Sequence, residues 1–253
     1  MWKGELIDMG EGRCLFFSPH SKKIVLFIAG LGDGFFTVPY TEYLPSLLQE
    51  AGWGFAQPII RSSYNNYGRF TLQDEVEDLK SAISYLITVK GVQEIILMGH
   101  STGCQDILQY LMTNENFAYI SKIILQGGVS DRESPLAPTL ILTENDEFLV
   151  PGYSSIFTKS RFQSLFGKGG FEDMFSSDLP DYPHLRSLRL PCLLLYSRDD
   201  EYVPDYVDKR DLLARWSKLN TSIQCYLVPG THFLPDKSLF MLECWPLIRK
   251  FLL

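Results

Sequence analysis

The chain has 253 residues, 45% of them hydrophobic, and a formal net charge of -7, a size at which an α/β protein commonly forms one domain. The negative charge and the scattered Lys and Arg residues argue against nucleic acid as a partner, and no apolar run approaches the roughly 20 residues of a membrane span. The N-terminal residues lack the basic and apolar regions of a signal peptide, so we expect a cytoplasmic protein with no membrane insertion.

Short apolar runs alternate with amphipathic segments along the chain. The apolar runs predict buried strands at residues 14–18, 23–30, 54–60, 94–99, 122–128, 191–197 and 222–228. The segments between them predict helices at residues 39–52, 72–91, 104–114, 205–219 and 237–253. This alternation predicts an α/β fold with a mostly parallel sheet and helices on both faces.

Residues 131–190 interrupt that alternation. They are rich in Pro, Gly and aromatic residues and show no clear strand and helix unit. Because a loop-rich insertion of this length is more often a lid than a linker, we expect a cap over the carboxyl edge of the sheet within a single domain spanning residues 1–253. The alternative is a peripheral subdomain unrelated to any site.

A Gly-x-Ser-x-Gly pentad, residues 99–103, lies between a predicted strand and a predicted helix. By itself such a pentad is a weak signal, because small residues occur in many turns. In its strand and helix context it is the pattern that holds the nucleophile of an α/β-hydrolase on a sharp turn. We therefore expect Ser101 to be a nucleophile.

A serine nucleophile needs a base and an acid, which follow it along the chain in this fold. His232 lies in a loop after the last predicted strand and is the expected base. His100, inside the pentad, is expected to point away from His232 and to have a packing or hydrogen-bonding role. Asp200 is the preferred acid, because we expect Pro204 to begin the next helix and to leave this carboxylate at the strand tip; Asp199 is the near rival.

The backbone amides of Leu31 and Thr102 are the expected donors of an oxyanion hole. Gly30 and Gly32 would let the loop after the 23–30 strand approach a substrate closely, although a plain tight turn would also favour glycine.

Three further side chains have two open interpretations. Arg61 and Ser62 follow a predicted strand and either bind a polar substrate group or brace their loop. Asp131 is a third candidate acid, but we favour pairing with Arg132 or Arg61 that holds the cap.

No cofactor or metal is expected. The chain has no Gly-x-Gly-x-x-Gly after a strand, no Walker-type loop and no His-Glu-x-x-His. Five widely spaced cysteines predict reduced thiols. One of them, Cys104, is a conceivable nucleophile, but a buried core thiol is the favoured interpretation.

Four longer motifs are more specific than the pentad and indicate a particular family. "FIAGLGDG" at residues 27–34, "GHSTGCQD" at 99–106, "SDRES" at 130–134 and "FSSDL" at 175–179 resemble an α/β-hydrolase family of fungi and plants that is labelled a domain of unknown function and includes fusarinine-type siderophore esterases. The resemblance implies a serine hydrolase acting on small-molecule carboxylic esters through Ser101, Asp200 and His232. On the same triad an acyltransferase, thioesterase or lactonase is an alternative, and a non-catalytic binding protein is another. The sequence does not indicate an oligomeric state.

Overall fold

The computed structural model describes residues 3–10, 12–139 and 145–253. Its strands are β1 (Glu5–Gly10), β2 (Arg13–Ser18), β3 (Lys23–Ile28), β4 (Gly54–Ile59), β5 (Glu94–His100), β6 (Ile120–Gln126), β7 (Glu147–Leu149), β8 (Ile156–Thr158), β9 (Cys192–Ser197) and β10 (Ile223–Val228). Eight of them form one sheet in the order β1-β2-β4-β3-β5-β6-β9-β10. All neighbours from β4 to β10 in that order are parallel, whereas β1 and β2 are antiparallel to their neighbours. The predicted mostly parallel α/β sheet is confirmed.

Helices cover both faces of this sheet. They are α1 (Leu44–Glu50), α2 (Leu72–Thr88), α3 (Gly103–Met112), α4 (Lys159–Phe166), α5 (Pro183–Arg186), α6 (Lys209–Leu219), α7 (Lys237–Leu239) and α8 (Trp245–Leu252). Alternate residues of β3 point to opposite cores: Ile24 and Leu26 pack with α2, α3 and α6, while Val25 and Phe27 pack with α1 and α8. A strand that is buried on both faces must be apolar, which is why residues 24–28 of β3 form an apolar run. Within the described ranges, no helix combines the length and the apolarity needed to cross a bilayer.

Strand β1 is not among the strands predicted from the sequence. It pairs antiparallel with β2 at the edge of the sheet, and its residues are exposed or half-buried. An edge strand with so little buried surface carries no apolar run, so periodicity cannot identify it.

Prolines divide two of the predicted helices. The 39–52 segment is a 3₁₀ turn, Pro39–Glu42, followed by α1, which has Pro45 in its first turn. The C-terminal segment is α7, a π-helical turn at Phe240–Cys244, and then α8, which begins with Trp245 and Pro246. Pro246 has no N–H to donate to the preceding turn, which accounts for the locally widened helix.

The expectation that Pro204 begins a helix is wrong. Helix α6 begins five residues later, at Lys209, because the Asp208 carboxylate accepts hydrogen bonds from the amides of Arg210 and Asp211 and so caps the first turn.

The described part of the 131–190 insertion has more regular structure than the sequence suggests. It contains the β7–β8 hairpin and helices α4 and α5. The hairpin and α4 share a small apolar core with Tyr67 of the main fold; its buried members are Tyr67, Val150, Phe157, Phe162 and Leu165. Residues 140–144 lie outside the described ranges.

A buried guanidinium joins α4 to the rest of the molecule. Arg161 is fully buried and donates to Glu172 Oε1 (2.7 Å), Glu75 Oε1 (2.8 Å) and the carbonyl of Tyr67 (3.0 Å). Burial also raises the pKa of the nearby Asp106 well above its ordinary value, and that of Glu172 to about 8. With three carboxyl groups around one cation, a neutral carboxyl avoids an excess of buried negative charge.

Loss of this cation leaves buried carboxylates without compensation. Arg161→Met keeps a long apolar side chain but should lower the free energy of unfolding by about 3–5 kcal/mol. Denaturant unfolding of the purified variants measures this change. Arg186, which pairs with Asp181 at the surface, is the matched control, and Arg186→Met should change stability little. Equal effects of the two substitutions would contradict a special role for the buried cluster.

Candidate active site

The turn between β5 and α3 holds Ser101 in a strained conformation. Ser101 has a φ of 53°, which non-glycine residues rarely adopt. A side chain on Gly103 would place its Cβ 2.4 Å from the Ile28 carbonyl oxygen, and one on Gly99 would lie 2.6 Å from the Gly103 carbonyl oxygen. Both glycines are therefore required by close backbone approach, and they bring the first turn of α3 against β3. The structure has the sharp strand-to-helix turn that the pentad predicts.

His232 and Asp200 form a buried pair. His232 Nδ1 donates to Asp200 Oδ2 at 2.8 Å, and the side chains are 2% and 0% exposed. The other carboxylate oxygen, Oδ1, accepts from the Tyr202 amide at 3.0 Å, and the His232 amide donates to Glu201 Oε2 at 2.9 Å. A carboxylate bound at Nδ1 fixes the imidazole with its Nε2 lone pair free to accept a proton.

Asp199 lies elsewhere. Its side chain is 58% exposed, it accepts from the Gly230 amide at 3.3 Å, and it lies 3.7 Å from the guanidinium of Arg198. The structure thus places Asp200, and not its neighbour, against His232.

Ser101 and His232 line the same cavity, whose volume is about 350 Å³. The loop after β3, the segment around residue 65, the loop after β6 and the described part of the insertion all contribute to its wall. Its other lining residues are Leu31, Gly32, Asp33, Tyr64, Asn65, Tyr67, His100, Val129, Ser130, Asp131, Ser134, Tyr153, Ser154, Phe166, Tyr202 and Phe233. The cavity lies at the carboxyl end of the parallel strands, where α/β folds commonly bind ligands.

Two backbone amides are available beside Ser101. Among the described residues, neither the Leu31 nor the Thr102 amide donates to a protein acceptor. A Cβ on Gly30 would lie 2.8 Å from that of Ser101, so the loop carrying Leu31 runs directly against the nucleophile turn. Gly32 has a φ of 75° and lines the cavity. Two backbone amides without a protein acceptor therefore lie on loops that meet at the nucleophile turn.

His100 has the expected hydrogen-bonding role but not the expected orientation. It is fully buried and its Nδ1 lies 2.6 Å from Gln126 Oε1, so the expected hydrogen-bonding role holds. However, it does not point away from His232, because the two ring centroids are 4.9 Å apart. Burial, with the nearby His232, lowers the pKa of His100 to about 3 and keeps it neutral. It therefore adds no competing positive charge beside His232.

Gln126, which the sequence analysis does not single out, connects the whole site. Its backbone carbonyl accepts from the Ser101 amide at 3.0 Å, and its side-chain Nε2 donates to the His232 carbonyl at 2.9 Å. Its Oε1 accepts from Tyr40 Oη at 2.9 Å and from His100 Nδ1. A single buried residue at the end of β6 thus holds the serine turn and the histidine loop together.

The loop after β6 departs from expectation, whereas the loop after β4 follows one of its two interpretations. Asp131 lines the cavity and accepts from Gln105 Nε2 at 3.0 Å; it does not pair with Arg132 or Arg61. Arg61 Nη2 lies 2.7 Å from Asp78 Oδ1, which braces its loop against α2.

The lining of the cavity includes neither Arg61 nor Ser62. This placement argues against substrate contact for both residues, and the bonds to Asp78 favour bracing for Arg61.

The described residues also bear on a metal site and on a cysteine nucleophile. Within the ranges that the structure describes, no group of three or more His, Cys, Asp or Glu side chains is arranged to hold a metal ion. Cys104 is fully buried, donates to the Gly99 carbonyl at 3.5 Å, and has its pKa raised by burial. A thiol in this state is a poor nucleophile.

This sheet, with its sharp serine turn and its His–Asp pair at one edge, defines an α/β-hydrolase fold. The siderophore hydrolase EstB from Aspergillus fumigatus has the same fold: the TM-score is 0.75 at 24% identity, covering 98% of this chain and 95% of that one.

The chain belongs to the family described as "Protein of unknown function (DUF1749)", whose profile matches residues 14–148 and 139–232. It is 30% identical to the UPF0613 protein PB24D3.06c of Schizosaccharomyces pombe, over 91% of this chain and 86% of the relative. It is also 27% identical to the fusarinine C esterase sidJ of Aspergillus fumigatus, over 78% of this chain and 75% of that protein. The resemblance noted in the sequence is confirmed.

The position of the histidine loop should depend on the Gln126 amide. Gln126→Glu preserves shape but replaces the donor to the His232 carbonyl with an acceptor, so the loop should shift. Gln57→Glu is the matched control, because buried Gln57 likewise donates, to the Gly34 carbonyl at 3.0 Å. Each change should cost about 1–3 kcal/mol of stability.

Proton NMR of the imidazole N–H of His232, which is hydrogen-bonded to Asp200, distinguishes the two variants. The resonance should move in Gln126→Glu and stay in place in Gln57→Glu. An unchanged resonance in Gln126→Glu would show that this residue does not hold the loop.

Proposed function

We propose that the chain is a serine hydrolase that cleaves a carboxylic ester of a small molecule through an acyl-enzyme. In this proposal Ser101 is the nucleophile, His232 the general base and acid, and Asp200 the group that orients the imidazole. The backbone amides of Leu31 and Thr102 bind the oxyanion. The observation that carries the proposal is the buried 2.8 Å hydrogen bond between His232 and Asp200 beside a cavity that the strained Ser101 also lines.

Each step uses a group in the cavity wall. His232 Nε2 removes the Ser101 hydroxyl proton while Oγ attacks the ester carbonyl, and the negative charge forms on the carbonyl oxygen. The imidazolium then gives its proton to the leaving alcohol, and the acyl group stays on Ser101. Water, deprotonated by His232, attacks the acyl-enzyme and releases the acid. Asp200 stays ionised and stabilises the imidazolium in both halves of the reaction.

The proposed catalytic groups are held in position before the substrate binds, which should speed formation of the acyl-enzyme. The backbone of Ser101 has a strained φ in the turn between β5 and α3, and the two amides without protein acceptors belong to loops that are ordered before substrate arrives. Donors that need no reorganisation are worth about 10²–10³-fold in rate each. His100 stays neutral, so His232 can become an imidazolium without a second positive charge next to it.

The substrate is proposed to be a small-molecule ester of the siderophore or secondary-metabolite kind. A fungal relative at 27% identity is named a fusarinine C esterase, and a structural neighbour is named a siderophore hydrolase. The cavity volume, about 350 Å³, lies at the lower end of the range for ligand pockets, which is about 300–1,000 Å³. We therefore expect one ester arm, rather than a large molecule as a whole, to enter the cavity.

Hydrolysis of a short nitrophenyl ester tests the proposal. Ser101→Ala should lower kcat by at least about 10³-fold, because no other group can form the acyl-enzyme. Ser84, an exposed serine on α2, provides the matched control, and Ser84→Ala should keep wild-type activity. A wild-type protein without esterase activity, or a fully active Ser101→Ala variant, would refute the proposal.

A further inference from the structure

The cavity beside Ser101 contains two carboxylates, and its described lining includes no Lys or Arg. Burial raises the pKa of Asp33, and raises that of Asp131 to about 6. Above that pH Asp131 is largely ionised, and its negative charge is only partly solvated. The cavity therefore has an acidic wall with no basic side chain in it.

Two arginines that neighbour Asp131, one through its charge and one along the chain, have other partners. Arg161 is held by Glu75, Glu172 and a backbone carbonyl. Arg132, the next residue along the chain, donates to Asp173 at 3.0 Å and to Asp178. Neither lines the cavity. Asp131 thus faces the cavity without a direct ion-pair partner among the described residues.

Of the two carboxylates, Asp131 is the one available to a ligand. Asp33 Oδ2 accepts from the Gly30 amide at 3.0 Å, which closes the loop that carries Leu31. Asp131 Oδ2 accepts from Gln105 Nε2, a neutral donor, at 3.0 Å. A carboxylate has about four acceptor sites, so this bond and the one from the backbone amide of Asp131 itself leave lone pairs for a ligand.

Aromatic rings surround the same space. Six of them line the cavity and are called here the aromatic wall: Tyr64, Tyr67, Tyr153, Phe166, Tyr202 and Phe233. Tyr153 lies 5.6 Å from Phe166 and 6.5 Å from Tyr67, measured between ring centroids. The faces of aromatic rings attract cations, and a group of rings is how proteins commonly recognise alkylated ammonium groups.

A further electron-rich atom lies beside the aromatic wall. His100 lines the cavity, is fully buried, and has no donor to its Nε2 among the described residues. Its Nδ1 carries the proton, because it faces the acceptor oxygen of Gln126, so Nε2 has a free lone pair. This unpartnered lone pair adds to the negative potential of the acidic, aromatic cavity.

We propose that the ester cleaved at this site bears a positively charged, alkylated nitrogen, and that Asp131 and the aromatic wall bind it. The inference rests on the proposed ester hydrolysis and names its substrate class. Carboxylate attraction and the cation–π contacts act together on such a group, whereas an anionic substrate would meet two carboxylates and no cation. Asp131 is thus a specificity residue, distinct from the His232–Asp200 pair.

Calorimetric binding to the Ser101→Ala protein tests this inference without any need for turnover. The probes are acetylcholine and 3,3-dimethylbutyl acetate, which have the same shape but differ by one positive charge. Acetylcholine should bind at least about tenfold more tightly than its neutral isostere. Adding Asp131→Asn should reduce the affinity for acetylcholine several-fold, to a preference that the aromatic rings alone sustain, while leaving the affinity for the neutral ester unchanged.

Asp199→Asn is the matched control, because it removes one exposed carboxylate outside the cavity and so changes the net charge equally. It should preserve the preference for acetylcholine. Equal binding of the two probes, or a preference that Asp131→Asn leaves undiminished, would overturn the inference.

Turnover of the same two esters separates a binding role of Asp131 from an effect on His232. With Ser101 present, Asp131→Asn should raise KM for acetylcholine several-fold more than KM for 3,3-dimethylbutyl acetate, and any change in kcat should be smaller than the change in KM for acetylcholine. A similar fall in kcat for both esters would place Asp131 in support of His232 and would overturn the inference. Cation-selective binding by a protein that hydrolyses neither these two esters nor a nitrophenyl ester would support the cation site while refuting the proposed hydrolase.

Discussion

The close approach of α3 to β3 is the constraint on which the site depends. With no side chain at position 103, the first turn of α3 lies against the Ile28 carbonyl, and the chain can turn so sharply that Ser101 takes a positive φ. Any side chain at that position would push the helix away from β3. A misplacement of the reacting groups by about 1 Å can cost about 10²-fold in rate. The strain at Ser101 is sustained because the parallel strands on both sides of β5 hold the turn in place.

Sheet order then brings the other groups to this turn. Strand β6 is the neighbour of β5 and ends in Gln126, whose backbone binds the serine turn and whose side chain binds the histidine loop. Strand β9 follows β6, and Asp200 comes just after it. Loops far apart in sequence therefore meet at one edge, and the insertion adds aromatic side chains over the cavity.

Much of this arrangement follows from local sequence. The strands that are buried on both faces are visible as apolar runs, and the pentad, the last histidine and the Asp pair follow the chain order of a hydrolase. Other features depend on contacts that the sequence cannot specify. Gln126 looks like any residue at a strand end, and only the fold shows that it meets both His100 and His232. The partner of Asp131 is Gln105, a neutral residue that charge pattern cannot select.

Covalent trapping of the nucleophile tests the central claim most directly. After treatment of the native protein with a fluorophosphonate, peptide mass spectrometry should find one adduct per chain, on Ser101, because an activated serine beside an oxyanion hole is the group that such a reagent modifies. The Ser101→Ala protein should remain unmodified. Absence of an adduct on the wild-type protein, or an adduct on Cys104 or on another serine, would contradict the account.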